Sequence, residues 1–292
     1  ANSTVKVIVV GIKSMTGCDL SSWDISELTN MRGFFFGAGN ANNSGLFDAD
    51  LSNWDVSSVT GMSYMFTQTQ FSNGGSPNIS GWDVSSVKDM DNMFSTQRRY
   101  NPNAAINFPT GFNQPIGSWD VSNVEKFTQM FGYNQWFDQD IGDWDLSSAT
   151  NTDNMFAGSV GGNNYTAFNN GGSPSISGWD MSNVTQAGAM FQANSGFNQP
   201  IGSWDVGNIS NLGSMFANAS GFDQDLGSWD VTSASYMVDF MKGITLSTAN
   251  YNSILIGWAP QSVQNGVSVS FGNSKYSAGA AASARATLVS KG

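Results

Sequence analysis

Aspartate is the residue whose type and spacing could carry chemistry in this chain. A Trp-Asp pair occurs eight times, placing carboxylates at Asp24, Asp55, Asp83, Asp120, Asp145, Asp180, Asp205 and Asp230. Aligned in register, eight like charges repel unless something compensates. Each carboxylate can accept backbone N–H bonds in the turn that follows, as Asp does in Asx-turns and caps. Alternatively the row holds Ca2+, whose preferred ligands are carboxylate and carbonyl oxygens; neither an EF-hand nor a nonapeptide calcium pattern is present. Asp pairs can also hydrolyse glycosides. A catalytic pair should break a repeat, however, and these carboxylates recur in every unit. Two further acidic stretches, Asp138-Gln139-Asp140 and Asp223-Gln224-Asp225, fall in return loops, where they read as solvated charge or as extra ion ligands.

Little else points to catalysis. The chain has no His, the commonest general base and metal ligand. Its single cysteine, Cys18, has no His to activate it and no partner for a disulfide. No phosphate-binding glycine loop or zinc spacing occurs. The expectation is a protein that is not an enzyme and needs no cofactor, with Ca2+ the one candidate ion. The net charge of −11 disfavours nucleic acid and anionic membrane surfaces, since both need a basic face. Without the eight repeated aspartates that charge would be −3. No apolar run approaches the roughly 20 residues of a membrane helix, so no membrane insertion is expected.

The elements that position the aspartates are internal repeats. The pairs begin at Trp23, Trp54, Trp82, Trp119, Trp144, Trp179, Trp204 and Trp229, at spacings of 31, 28, 37, 25, 35, 25 and 25 residues. The unit is therefore 25 residues, lengthened in places by insertions. Its cleanest copies are FNQPIGSWDVSNVEKFTQMF from Phe112 and FNQPIGSWDVGNISNLGSMF from Phe197. The β-branched and aromatic residues around Ile116 to Val121 read as a short strand. From Val124 apolar residues fall at i, i+3, i+6 and i+7, which reads as two helical turns. Ser26, Ser57, Ser85, Ser122, Ser147 and Ser182, with Gly207 and Thr232 in the other units, would be the N-caps. The predicted fold is a right-handed, leucine-rich-repeat-like solenoid: eight strand–turn–short-helix units forming a parallel sheet, closed by N- and C-terminal caps.

The string W-D-V-S-x-V-T-x-M-x-x-M-F, as at Trp54 to Phe66, resembles the repeat of the BspA-like leucine-rich-repeat bacterial surface proteins. The resemblance spans roughly Asp19 to Met241, and the tail from Tyr251 to Gly292 is similar to the closing segment of that family. It implies a leucine-rich-repeat solenoid on a surface protein involved in adhesion, and it names no ligand.

The domain reading is a capping strand in 1–18 (Thr4 to Ile12), the repeats in 19–243 and a cap in 244–292. Within that cap Tyr251 to Trp258 and Ala278 to Val289 read as helices, Val267 to Phe271 as a strand, and Trp258 as a cap residue outside the Trp-Asp series. The insertions, Gly37 to Asp50, Thr67 to Asn78, Ser95 to Pro115 and Ala157 to Ser175, all lie between a Met-Phe pair and the next Ile or Leu, so they should emerge along one edge, often the binding face. Arg98, Arg99, Tyr100, Phe108, Tyr165 and Phe168 are the candidate binding residues there, as aromatics beside Asn and Gln suit a glycan or protein. The plainer alternative is that these rings pin long loops to the core. The row six residues after each Trp, from Thr29 and Thr60 to Ser235, is too interrupted by Lys88 and Glu125 to suit ice. Low charge (11 % of residues) and polar solubility suit an extracellular, cell-surface or virion setting. The expected function is recognition or adhesion, binding a protein or glycan through the insertion edge. The alternative is a building block that binds copies of itself in a filament, sheath or virion appendage.

Overall fold

The computed structural model describes residues 20–38, 49–69, 71, 78–96, 111–159, 165–173 and 175–291. The expected capping strand at Thr4 to Ile12 lies outside them.

The predicted strands, parallel sheet and per-repeat helices are not found. Among the described residues there is no strand or sheet. The α-helices are α1 (Thr248–Trp258) and α2 (Ala280–Ser290), both near the C-terminus where the sequence placed helices. Three single 3-10 turns, Ile79–Gly81, Asn170–Gly172 and Ile176–Gly178, complete the regular elements. Val267 to Phe271 is not a strand either.

Each repeat instead forms a rung of linked turns, and isolated single-residue parallel bridges, not strands, register it on the next rung. The bridges run Asn30 to Gly61, Asp89, Lys126, Asn151, Gln186, Asn211 and Tyr236 in order. The reason is visible in the backbone at Met62–Thr69. The N–H groups of Met62, Tyr64, Phe66 and Gln68 donate to the next rung, at Asp89, Asp91, Met93 and Ser95. Those of Met65, Thr67 and Thr69 donate back three residues, to Met62, Tyr64 and Phe66. From Tyr64 to Thr69 the alternating partners satisfy each N–H in turn, as a buried backbone requires, without a run of ladder pairs long enough for a strand.

The same alternation forbids the helix. Tyr64 and Gln68 sit at φ 61° and 59°, and their counterparts Gln129 and Tyr133, Ala189 and Ala193, and Ser214 and Asn218 are also left-handed. A left-handed residue every fourth position breaks an α-helix. It still leaves Met62, Met65 and Phe66 on one face, the spacing that reads as helical. The serines expected as N-caps serve the Asp turns described below.

The core is two columns of stacked rings. Phe35, Phe66, Phe94, Phe131, Phe156, Phe191 and Phe216 follow one another at centroid separations of 5.5–5.9 Å. A second column, including Phe71, Phe112, Phe137 and Phe168, lies against it, with pairs as close as 3.6 Å for Phe94–Phe112. The face of Trp, Val and Met residues packs beside them, buried from Leu51 through Met241.

The tryptophans tie rung to rung. The indole N–H of Trp144 donates to the Ile116 carbonyl at 3.1 Å, and that carbonyl also accepts the Trp119 backbone N–H. The same bond links Trp54 to Leu20, Trp82 to Leu51, Trp119 to Ile79, Trp179 to Ile141, Trp204 to Ile176 and Trp229 to Ile201. Trp258 donates to Leu226 at 2.9 Å, so it continues this series from within α1 although no Asp follows it. Gly257 makes that docking feasible: a Cβ there would overlap the Gly227 carbonyl. Trp23, in the first rung, is 40 % exposed.

Candidate functional site

The aspartate row is the most regular chemical feature of the surface. Each Asp of the Trp-Asp pairs accepts the backbone N–H two residues on. The distances are 3.1 Å at Asp24, Asp55, Asp83, Asp120 and Asp205, 3.0 Å at Asp230, 2.9 Å at Asp180 and 2.8 Å at Asp145. In five of these turns the hydroxyl of the same Ser or Thr donates to the same oxygen at 2.6–2.7 Å. These are Asx-turns, in which the side chain stands in for a backbone carbonyl. The hydroxyl and N–H donors hold Asp24, Asp55, Asp120, Asp180 and Asp230 below the ordinary carboxylate pKa. Among the described residues no group of three or more His, Cys, Asp or Glu is placed to hold a metal ion.

The Asp-Gln-Asp loops are also bound into the rungs. Asp138 accepts the N–H groups of Asn169 and Gly171 at 2.7 and 2.9 Å, and Asp140 those of Gly142 at 3.0 Å and the Asn170 amide at 3.1 Å. Asp223 accepts from Ser247 N–H at 2.8 Å, and Asp225 from Gly227 N–H at the same distance. These contacts belong to an amide ladder that sequence reasoning missed. The side-chain oxygens of Asn113, Asp138, Asn169 and Asn198 each accept the backbone N–H of the matching residue one rung on, Asp138, Asn169, Asn198 and Asp223. The amides of Gln139, Gln199 and Gln224 reinforce it. Its signal was the recurring Phe-Asn-Gln or Phe-Asp-Gln from Phe112, Phe137, Phe197 and Phe222, with Phe168-Asn169-Asn170 in the inserted unit.

The insertions leave the rungs at stacked positions. The backbone bonds Gly37 to Thr67 and Gln68 to Ser95 join successive departure points, and Thr96 to Gly132, Tyr133 to Ala157 and Gly158 to Gln192 join the others to the matching places of units without an insertion. Buried hydroxyls brace them, Thr67 to the Asn92 carbonyl and Thr166 to that of Phe156 at 2.7 Å. Of the candidate binding residues, Tyr165 is 48 % exposed beside this edge. Phe168 is 1 % exposed and stacks on Phe156 and Phe137, inside the ring columns. Arg98, Arg99, Tyr100 and Phe108 lie outside the described residues.

Residues 4–110, 103–169 and 162–279 match, as three tandem stretches, the family described as "Mycoplasma protein of unknown function, DUF285". The chain belongs to the DUF285 family. Together the three stretches take in all eight Trp-Asp units of this DUF285 chain. No curated protein and no solved structure matches the chain.

Proposed function

We propose that this chain is an extracellular, non-enzymatic recognition module that holds its insertion loops along one edge against a protein or glycan. The observation that carries this reading is the stacking of the insertion departure points, from Gly37 through Gly158, on a braced and buried base. Loops on a rigid scaffold are where binding residues concentrate. The aspartates favour a structural role, because the eight of the Trp-Asp row are each occupied by their own turns. The resemblance of the W-D-V-S-x-V-T-x-M-x-x-M-F unit to BspA-like surface proteins supports a surface location and adhesion.

The test replaces residues 97–110 with the short return found between Phe131 and Phe137, and separately shortens the insertion after Ala157. Both proteins are screened beside the parent on glycan arrays and on intact cells. The expected result is a ligand bound by the parent and lost with one loop, at unchanged circular dichroism. A ligand that survives every loop replacement would overturn the reading.

A further inference from the structure

The ladder of rungs stops at the C-terminal cap without being filled there. In each earlier rung the N–H at the start of the turn chain donates to the next rung: Met31, Met62, Met90, Phe127, Thr152, Ala187 and Leu212 all do so. The matching N–H of Met237 finds no acceptor among the described residues. The segment that follows the helix α1 runs beside this last rung, bonded to it near Gln261 and Gln264 and again from Ser270 to Ser274, with Val263, Val267 and Phe271 packed on the core. Gln264 donates to the Thr232 carbonyl at 2.9 Å, and the Met241 N–H donates to Ser270 at 2.8 Å. A cavity of about 590 Å3 lies among this segment, the last rung and the two helices. That volume falls in the range of small-molecule sites, roughly 300–1,000 Å3.

The lining has a definite chemistry. Ala234 and Met237 form the floor, Leu255 and Trp258 of α1 one wall, and Val269 part of the bridging segment. None of the described lining residues is acidic, in a chain with 22 acidic residues and 11 basic ones. Two of those 11, Arg285 and Lys291, line it. Lys291 is occupied, donating to the carbonyls of Ala259 and Gln261 at 2.7 and 2.6 Å. Arg285 lies over the Tyr276 ring at 5.5 Å, beside Tyr251, and no carboxylate among the described residues pairs with it. Arg285 is exposed at the open rim of this cavity, where it also hydrogen-bonds Tyr251, and a guanidinium there favours a carboxylate by its fork of donors.

We propose that this cavity between the last rung and the C-terminal cap binds a small apolar carboxylate, its body against Met237, Leu255 and Trp258 and its charge on Arg285. The site is separate from the insertion edge and does not rest on the recognition reading.

Decanoate is the probe, titrated calorimetrically into the full chain, with decan-1-ol as its uncharged counterpart. Saturable one-site binding is expected, with decan-1-ol weaker by about 10-fold or more. Arg285→Gln should weaken decanoate by about 10-fold or more and leave decan-1-ol unchanged, while Arg285→Lys loses less. Val269→Trp, which fills the cavity from the bridging segment, should weaken both probes. Unchanged circular dichroism verifies each variant's fold; should Arg285→Gln not fold, the decanoate-to-decanol ratio on the parent decides. No saturable decanoate binding by the parent up to about 1 mM, equal affinity for the two probes, or an Arg285→Gln variant that binds decanoate as tightly as the parent would each overturn the proposal. The chain with residues 97–110 replaced should bind decanoate as the parent does, so a failure of either idea leaves the other standing.

Discussion

Replacing Trp144 with Phe isolates the bond that ties one rung to the next. The ring is 2 % exposed and its indole N–H donates to the Ile116 carbonyl at 3.1 Å. Deleting that donor does not orphan the carbonyl, because Ile116 still accepts the Trp119 backbone N–H. The hydrogen-bond loss is therefore the ordinary net contribution, about 0.5–1.5 kcal/mol, without the larger penalty for a stranded buried acceptor. The smaller ring also leaves a void of roughly 40 Å3, costing about 1 kcal/mol at 24 cal/mol per Å3. Lost apolar burial adds about 1 kcal/mol. The sum is about 2–4 kcal/mol, read as a lower urea midpoint in equilibrium unfolding followed by far-ultraviolet circular dichroism. Two controls sharpen the result. Trp23→Phe, at an exposed ring whose indole has no acceptor among the described residues, should change stability by less than about 0.5 kcal/mol. Trp258→Phe should cost as much as Trp144→Phe, because the cap residue makes the same bond to Leu226. A Trp144→Phe protein within about 0.5 kcal/mol of the parent, or a Trp23→Phe protein as weakened as it, would refute the indole tie.

Acid should weaken the fold through the aspartate turns. Asp24, Asp55, Asp120, Asp180 and Asp230 have lowered native pKa values, so their stabilisation is present above the unfolded value of about 3.9 and is lost as pH falls through the lowered ones. Burial raises Asp91 and Asp153, which act in the opposite sense, since protonation relieves them. A series of urea midpoints against pH should thus decline below about pH 4, and Asp91→Asn should raise the midpoint at neutral pH. Asn198→Ala removes the acceptor of the Asp223 N–H, while the Gln224 amide keeps the Asn198 carbonyl, and should cost about 1 kcal/mol by the same unfolding assay. Gly257→Ala forces a methyl into the Gly227 carbonyl, and should free α1 from the last rung, seen as faster amide exchange across Thr248–Trp258.

The repetition was legible because Trp-Asp is a rare pair and recurs at a fixed minimum spacing. So was the Asx-turn reading of the aspartates, since an Asp followed two residues later by Ser or Thr has a local partner in its own turn. The helix was misread because Val124, Phe127, Met130 and Phe131 satisfy a 3.6-residue period and a chain of turns alike. What distinguishes them is the left-handed residue at Gln129, a position where Tyr64, Asn92, Ala189 and Ser214 also sit. No residue type marks it, because bonds to the neighbouring rung, and not local preference, hold the conformation. The strand failed for the same reason: pairing is set rung by rung at single residues such as Asn151 and Gln186. Phe168 was read with its loop, yet its place in the ring column follows from Phe112 and Phe137, the matching residues of other units. Trp258 lacked the Asp that defined the series, although Leu255 stands three residues before it as Ile116 stands before Trp119.

The single-residue bridges have a mechanical consequence. A load applied to the two ends of the array is borne in series, since each rung is held only by the one before and the one after. The weakest interface opens first, and its release leaves the remaining rungs bonded as before. Each rung surrendered pays out at least 25 residues of slack, roughly 85 Å of extended chain at about 3.4 Å per residue. Such a tether dissipates a pull in steps instead of transmitting it whole to whatever lies at its ends.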